Sequence, residues 1–412
     1  MLSGIFGLIK ILSLSLSGPQ PDTSQLQRPC PTPPSVLHES CTNRPERDML
    51  EQLPALPHPS HRPVRILQIT DLHHFGVAEG HTYFQGPRVV VPILGFTAGD
   101  ELKAEVSPGG YSVGRGIALI ARLIATQRPT LVVFSGDIID GRMCENHLRA
   151  MREVVQPCVL AGVPWCFTPG NHDDDEPCPW SHSDLLQIMT LPGCATPQAC
   201  SFDHTFMVGE GVRLFFFDTH GSAKTSKDGV TARAVAGYEE LSVTPALVFE
   251  RDRGVVGLSY FHIPLPEYAE ESSAVVSGHL DSLAPMRSML PAKMKGRRIV
   301  GCPRTNTGLY SALCRRGNVV ATFCGHDHYH DCVLRKEPAG SDADAGRPFL
   351  AYGRVAAFTP PADFEGAGGA LPFDRGGRVV EIAQDGQTET WIAGVSGEEA
   401  GSRLFLKKSS RL

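Results

Sequence analysis

Short apolar runs separated by polar segments make up most of the chain from residue 64 onward. Several runs are apolar at consecutive positions, without the alternation that a half-exposed strand shows, and this is typical of β-strands covered on both faces. The runs are rich in Val, Ile and Phe and occupy residues 65–70, 130–135, 165–168, 212–218, 257–261 and 319–324. We therefore predict a β-strand at each of these positions.

Apolar residues at helical spacing occur between the strands. Ile117, Ile120 and Ile124 recur along one face of residues 114–127, which predicts an amphipathic helix there. A second helix is predicted at residues 145–155. Because strands alternate with helices, the pattern favours an α/β fold built from layers.

The ends of the chain and one internal stretch differ in composition. Residues 1–17 are apolar but short and contain a lysine, so a signal peptide, an anchor and a surface helix all stay open. Residues 18–63 contain 11 of the 33 prolines and are predicted to form a disordered leader. One domain is predicted at residues 64–396, with a Gly- and Pro-rich insertion at 76–113 and a tail at 397–412.

Composition and charge narrow the class of protein. With 42% hydrophobic residues the chain can bury a large core, which excludes wholesale disorder. The 44 acidic and 38 basic residues give a net charge of −6, so nucleic acid is not an expected partner. Membrane association is expected only through residues 1–17. The 12 cysteines include no Cys-x-x-Cys pair; Cys194 and Cys200 either close a surface loop as a disulfide or remain unpaired.

Polar side chains follow five of the apolar runs, at the point where each predicted strand ends. In chain order these blocks are Asp71-Leu72-His73, Gly136-Asp137-Ile138-Ile139-Asp140, Gly170-Asn171-His172-Asp173, His262, and Gly325-His326-Asp327-His328. Asp, Asn and His are ligands of hard and borderline metal ions. Ligand sites in α/β sheets form beyond the carboxyl ends of strands, so these blocks can meet at one place. The sequence therefore predicts a metal site.

One block alone would be weak support for this site, since an isolated Asp-x-His or Gly-Asp is usually a capped turn. Alternation along an extended backbone lets Asp71 and His73 point to the same side, and the same holds for His326 and His328. Five blocks in this order, each at a strand end, are hard to explain as structural coincidence.

The series of blocks resembles the signature of the calcineurin-like metallophosphoesterase superfamily. The stretches 261–268 and 306–328 are similar to its purple-acid-phosphatase-related branch, which includes the Dcr2-type phosphatases. The resemblance implies an α/β fold with two packed mixed β-sheets flanked by helices. It also implies a centre of two divalent or trivalent metal ions, for which this donor set favours Mn, Fe or Zn.

The resemblance implies a role for each metal-site position. One metal would be bound by Asp71, His73 and His328, and the second by Asn171, His262 and His326. Asp137 would bridge the two ions. The hydroxide that the metal pair generates would attack phosphorus in line, without a phosphoenzyme.

Two further residues are expected to act in catalysis. His172 would contact the phosphate and protonate the leaving oxygen. Asp140 would orient His172 and favour its protonated form. Asp140 also stands where purple acid phosphatases have a tyrosine, so no purple iron chromophore is expected. The acidic residues 174–176 are expected to form a solvated loop.

The expected activity is hydrolysis of a phosphate monoester in a phosphoprotein or a small phosphoester. A phosphodiesterase and a non-catalytic scaffold with the same fold are the alternatives. The chain ends in Ser410-Arg411-Leu412, which is similar to a peroxisomal address. A peroxisomal or cytoplasmic location is therefore expected, with the secretory pathway as the alternative because of residues 1–17.

Overall fold

The computed structural model describes residues 50–59, 61–76, 113–175, 178–221, 229–280, 300–336, 346–358 and 374–407. The apolar residues 1–17, residues 18–49 of the leader, most of the insertion at 76–113 and the terminal residues 410–412 lie outside these ranges. Among the described residues, no helix is both long enough and apolar enough to span a membrane.

Fourteen strands occur in the described part of the chain. They are β1 (Glu51–Gln52), β2 (Val64–Ile69), β3 (Leu131–Ser135), β4 (Trp165–Thr168), β5 (His204–Val208), β6 (Val212–Phe216), β7 (Val256–Tyr260), β8 (Ser273–Ser277), β9 (Val319–Cys324), β10 (Val333–Lys336), β11 (Phe349–Tyr352), β12 (Gly376–Ile382), β13 (Thr388–Gly394) and β14 (Glu399–Lys407). The helices are α1 (Val113–Gln127), α2 (His147–Ala161), α3 (Ala232–Ser242), α4 (Pro245–Asp252) and α5 (Leu309–Arg316). Short 3-10 segments occupy His182–Thr190 and Pro266–Tyr268.

The six predicted strands and both predicted helices are confirmed. Every residue of β3, β4, β6 and β7 is buried, as continuous apolar runs predict. Helix α2 is longer than predicted. The Asn146 side chain accepts a hydrogen bond from Arg149 N at its start, and Gly162 ends it in the left-handed conformation at φ 64°.

The strands form two mixed sheets. The six-stranded sheet has the order β14-β13-β12-β2-β3-β4, and the eight-stranded sheet has the order β1-β5-β6-β7-β9-β11-β10-β8. In the first sheet β2, β3 and β4 are parallel, and in the second β6, β7 and β9 are parallel. The carboxyl ends of these parallel strands therefore lie together along one edge of each sheet.

Apolar side chains fill three layers, two outer and one inner. Side chains of β2, β3 and β4 alternate between the inner layer, against β6, β7 and β9, and an outer layer against α1 and α2. Helices α3 and α5 cover the other face of the eight-stranded sheet. The result is two packed mixed sheets flanked by helices, as predicted.

The ordered domain extends beyond both predicted boundaries. Strand β14 pairs with β13, so residues 399–407 belong to the six-stranded sheet and not to a tail. Strand β1 pairs with β5, and Leu50 is buried in the core, so the last part of the predicted leader is structured. Alternating apolar residues in Glu399–Lys407 are hard to recognise because Gly and charged residues interrupt them.

The pairing of Cys194 with Cys200 is not present. Cys200 is disulfide-bonded, whereas Cys194 has a free thiol. Cys166 and Cys324, which lie within strands, are buried and free, and they pack as small core residues.

Candidate metal centre

The loops that follow β2, β3 and β4 hold the acidic and amide side chains in place through their backbones. Asp71 N donates to Gly136 O at 3.1 Å and His73 N to Asp137 O at 2.9 Å, so pairing between β2 and β3 continues beyond the strands. His172 N donates to Asp137 Oδ1 at 2.8 Å. The three loops thus form one connected rim at the carboxyl ends of the strands.

Hydrogen bonds join this rim to the eight-stranded sheet. His262 Nδ1 lies 3.0 Å from Ser135 O, and Gln68 Nε2 donates to Cys324 O at 3.1 Å. Gly325 lies so close to the rim that a Cβ there would come within 2.0 Å of Thr70 Oγ1. Only glycine allows the two sheets to approach this closely at that point.

Six of the seven predicted metal-site residues come together in this region, and the seventh, Asn171, precedes His172, whose backbone N–H donates to Asp137. We call the seven residues the principal cluster: Asp71, His73, Asp137, Asn171, His262, His326 and His328. Ligand atoms of Asp71, His73, Asp137 and His328 lie within 4.8 Å of one another, and so do those of Asp137, His262 and His326. Asp137 is the residue that the two groups share, which is the position predicted for a bridging ligand.

Distances within the principal cluster are short, and one of them joins two imidazole nitrogens. His73 Nε2 lies 3.2 Å from His328 Nε2. His328 Nε2 lies 3.3 Å from Asp71 Oδ1, and His262 Nε2 lies 3.0 Å from Asp137 Oδ2. His262 and His326 pack edge to face with ring centroids 5.3 Å apart.

The donor atoms fit metal ions. Asp137 Oδ2, Asn171 Oδ1 and His262 Nε2 are buried and have no hydrogen-bond partner of acceptable geometry. Buried polar atoms normally have a partner, because leaving one unsatisfied costs about 1–3 kcal/mol. A metal ion would satisfy all three atoms, and the mixture of carboxylate, amide and imidazole suits Mn, Fe or Zn.

The protonation states are mostly those that coordination requires. Burial lowers the pKa of His73 well below its usual range, so its ring is neutral. Burial alone would raise the pKa of Asp137, but the neighbouring His262 and His172 outweigh it and hold that pKa well below the usual range. His262 is the exception, since burial opposes but Asp137 raises its pKa to about 9. A metal ion at His262 must therefore replace a proton.

Four residues of the principal cluster have a left-handed backbone. The φ angles are 53° at Asp71, 48° at His73, 51° at Asp137 and 74° at His326. Such conformations cost about 1–3 kcal/mol each for residues other than glycine and are concentrated at functional sites. The surrounding hydrogen bonds hold them.

Asp173, the last residue of the Gly-Asn-His-Asp block, supports the rim from below. It is fully buried and accepts backbone N–H groups of Asp137, Ile138, Ile139 and Gly170 at 2.6–3.1 Å. Burial raises the pKa of Asp173 to about 7. Its carboxylate fixes the loops after β3 and β4 relative to each other.

The predicted contact between Asp140 and His172 is replaced by a different pair. His172 Nδ1 lies 2.5 Å from Asp175 Oδ2, within one turn of chain. Asp140 accepts hydrogen bonds from Arg142, at 2.9 Å from Nε and 2.6 Å from Nη2, and lies 3.8 Å from His73 Nδ1. Asp140 therefore faces His73 and Arg142, because the turn after β4 places Asp175 closer to His172.

Two of the three acidic residues at 174–176, in the loop after His172, are not solvated as predicted, and the third, Glu176, lies outside the described residues. Asp174 has no exposed surface, and Asp175 is partly buried. The described acidic residues of this loop therefore provide no charged rim that would repel anionic substrates.

A second group of possible ligands was missed by the sequence analysis. His182, Asp218 and His220 have ligand atoms within 4.8 Å of one another. With Asp174, whose Oδ2 lies 3.4 Å from His182 Nδ1, we call them the His182 cluster. A signal was present, because the apolar run at 212–218 ends in Asp218-Thr219-His220, an Asp-x-His block at a strand end.

Several known proteins are similar to this chain. "Probable inactive purple acid phosphatase 29" of Arabidopsis thaliana is 25% identical over 273 residues, which cover 57% of this chain and 64% of that protein. "Phosphatase DCR2" of Saccharomyces cerevisiae is 24% identical over 312 residues, which cover 70% of this chain and 47% of that protein. The chain thus spans less than two thirds of the length of either relative.

A dimetal phosphatase from Danio rerio is similar in structure, with a TM-score of 0.49 and 14% identity; the alignment covers 84% of this chain and 100% of that one. The sequence model of the calcineurin-like phosphoesterase family matches residues 64–330, the region that contains every residue of the principal cluster. Proteins of this family bind a dinuclear metal centre. The chain belongs to the calcineurin-like phosphoesterase family.

Proposed function

We propose that the protein is a metal-dependent phosphatase that hydrolyses phosphate monoesters of a phosphoprotein or a small phosphoester. The observation that supports this most strongly is the convergence of Asp137, His262 and His326, with the buried Asn171 Oδ1 that has no hydrogen-bond partner, at the edge where the two sheets meet. The family to which the chain belongs and the name of its yeast relative agree with this activity.

The principal cluster divides into two ligand groups around Asp137. Asp71, His73 and His328 would hold one metal ion, and Asn171, His262 and His326 the other. A bound metal pair lowers the pKa of water and neutralises the phosphoryl charge. Asp71 is fixed for this role, since its two oxygens accept the backbone N–H of His326 at 3.0 and 3.1 Å.

In this proposal His172 acts on the substrate. Its ring lies beside the ring of His73, with centroids 5.4 Å apart, and about a quarter of its side chain is exposed. Asp175 occupies Nδ1, which directs Nε2 to a phosphate oxygen or the leaving oxygen. In this proposal the Nε2 proton passes to the leaving oxygen, and Asp175 holds the ring in orientation.

The names of three Arabidopsis relatives include the word inactive. In this chain each position of the principal cluster has a residue able to bind a metal, and His172 is present. This complete set of groups favours an enzyme over the scaffold alternative.

The test is hydrolysis of p-nitrophenyl phosphate and bis(p-nitrophenyl) phosphate by the purified full chain, before and after chelation. We expect faster turnover of the monoester, loss of activity on chelation and recovery with Mn²⁺, Fe²⁺ or Zn²⁺. Preference for the diester would indicate a phosphodiesterase. Absence of turnover with metal bound would indicate a scaffold, and activity that persists after complete metal removal would contradict the mechanism.

A further inference from the structure

The His182 cluster lies beside the principal cluster, where β6 and β4 end. His182 Nε2 lies 2.7 Å from Asp218 Oδ2, and His220 Nδ1 lies 3.5 Å from the same oxygen. The other oxygen, Asp218 Oδ1, accepts the backbone N–H of His220 at 2.9 Å. Two imidazole nitrogens and one carboxylate oxygen therefore face a common point.

Asp174 lies on the outer side of His182, away from Asp218. Its side chain has no exposed surface, and neither of its oxygens has a hydrogen-bond partner among the described residues. Oδ2 faces His182 Nδ1 at 3.4 Å, on the side of the ring opposite to Asp218. A histidine that binds a metal through one nitrogen commonly has a carboxylate or carbonyl at the other, which orients the ring.

The principal cluster shows the same arrangement. His262 has Ser135 O at its outer nitrogen and a carboxylate oxygen of Asp137 at its inner nitrogen. His182 has Asp174 at its outer nitrogen and Asp218 at its inner nitrogen. The two clusters thus share a pattern in which an oriented histidine faces a buried carboxylate at a strand end.

We propose that the His182 cluster binds a third metal ion, separate from the pair, through His182 Nε2, His220 Nδ1 and Asp218 Oδ2. Two imidazoles and one carboxylate suit a divalent transition metal such as Zn²⁺ or Fe²⁺ better than Ca²⁺ or Mg²⁺. Asp174 acts as a positioning residue that orients His182. The proposal does not depend on phosphatase activity.

This ion would join two loops beside the principal cluster. Asp174 lies three residues after Asn171 in the loop that follows β4. Gly221 follows the third ligand, and a Cβ built on it would lie 3.3 Å from Asn171 Cβ. Through the contact between His182 and Asp174, the ion would therefore also restrict the loop that holds Asn171.

The experiment counts metal ions in the full-length chain with the principal cluster disabled. Asp137→Asn combined with His328→Ala provides that background, and Zn²⁺ is the probe, measured by mass spectrometry after gel filtration. We expect the background variant to retain about one equivalent of Zn²⁺. Adding Asp218→Asn or His220→Gln should abolish this binding, and Asp174→Asn should weaken it by about 10–100-fold.

His279→Gln is the matched control, because His279 Nδ1 also faces a buried aspartate, Asp331, at 3.2 Å, but belongs to neither cluster. It should leave the retained Zn²⁺ unchanged. A background variant that binds no Zn²⁺, or one whose Zn²⁺ survives Asp218→Asn, would overturn the proposal and leave His182 as a charged bridge between two carboxylates.

If circular dichroism shows that the background variant is unfolded, the comparison is made in the protein with an intact principal cluster. Wild type should then bind about three equivalents of Zn²⁺ and His220→Gln about two. Equal stoichiometry of the two proteins would overturn the proposal. Failure of the phosphatase proposal would instead appear as absent turnover while the metal count remains as expected.

Discussion

The two sheets contribute chemically different groups to the principal cluster. The six-stranded sheet provides the oxygen donors Asp71, Asp137 and Asn171 together with His73, whereas the eight-stranded sheet provides histidines alone. Ionised carboxylates neutralise bound cations, and neutral imidazoles add affinity without adding charge. In the proposed metal centre the first sheet would therefore set the charge of the site, and the second would complete the coordination.

This difference means that neither sheet forms the site alone. The hydrogen bond between His262 and Ser135 O and the close approach of Gly325 to Thr70 both cross from one sheet to the other. The geometry of the centre therefore depends on how the two sheets pack, and changes on either side are expected to have distinct effects.

The largest effect is expected from removal of the charge on the six-stranded side. Asp137 Oδ2 faces both His262 and His73, so Asp137→Asn should remove both metals and lower kcat/KM by on the order of 10³-fold or more. The measurements are p-nitrophenyl phosphate hydrolysis and metal content. Asp252→Asn, at an exposed carboxylate, is the control, and near-normal activity of Asp137→Asn would exclude a bridging role.

A smaller effect is expected on the eight-stranded side. His262→Ala removes one nitrogen donor and leaves the group of Asp71, His73 and His328 intact, so about one metal equivalent should be lost and activity should fall on the order of 10²-fold. His204→Phe, also buried in this sheet, should not change the metal content. Loss of every metal from His262→Ala would show that the two ligand groups are not separable.

Substitution of Asp175 and of Asp140 tests which of the two carboxylates orients His172. Asp175→Asn should lower kcat about 10-fold, and more for alkyl phosphates than for p-nitrophenyl phosphate, because a poor leaving group depends more on proton donation. Asp140→Asn should not show this dependence on the leaving group, since Asp140 contacts Arg142. The measurement is kcat across phosphate esters of different leaving-group pKa, and the reverse result would restore Asp140 as the partner of His172.

The packing of the loops is tested by Gly170→Ala. A Cβ at Gly170 would lie 2.4 Å from Asp137 N, so the loops after β3 and β4 must move apart. We expect a loss of about 1–3 kcal/mol in the free energy of unfolding, measured in urea. Gly211→Ala, where a Cβ would meet nothing within 4 Å, is the control. Equal losses would show that the close approach is unimportant.

His204 is a buried histidine of the eight-stranded sheet that belongs to neither cluster. It therefore serves as a comparison for the histidines of the principal cluster. Burial lowers its pKa to about 4 from 6.5, so the unfolded chain binds a proton here before the folded chain does. Its effect on the free energy of unfolding is therefore fully favourable above about pH 6.5. That free energy falls by about 3 kcal/mol at most as the pH falls toward 4. Unfolding of His204→Phe should therefore depend less on pH between 6.5 and 4 than that of wild type, and identical slopes would contradict this assignment.

The strands and the principal cluster were predictable from the sequence for a physical reason. Continuous apolar runs are visible without any tertiary information, and the carboxyl ends of parallel strands meet at an edge whatever the loops do. Asp71, Asp137 and His262 are close together because β2, β3 and β7 end there. Their individual roles in binding and catalysis remain predictions.

Features that depend on loop geometry were not predictable. Whether Asp140 or Asp175 contacts His172 is decided by one turn, and the burial of Asp174 depends on packing against His182. No local pattern marks His182, which reaches its cluster from a 3-10 segment. The Asp218-x-His220 block was a usable signal, because its spacing is that of Asp71-x-His73.

The short strand β1 has a practical consequence for shortened forms of the protein. It covers the outer edge of β5, where Leu53 N and Leu56 N donate to Thr205 O and Met207 O at 2.8 and 2.7 Å. A chain trimmed to begin at Val64, where the family match starts, would leave β5 as an open edge of an apolar sheet. Open edges invite pairing between molecules, so such a truncated protein should aggregate while one beginning before Leu50 stays monodisperse.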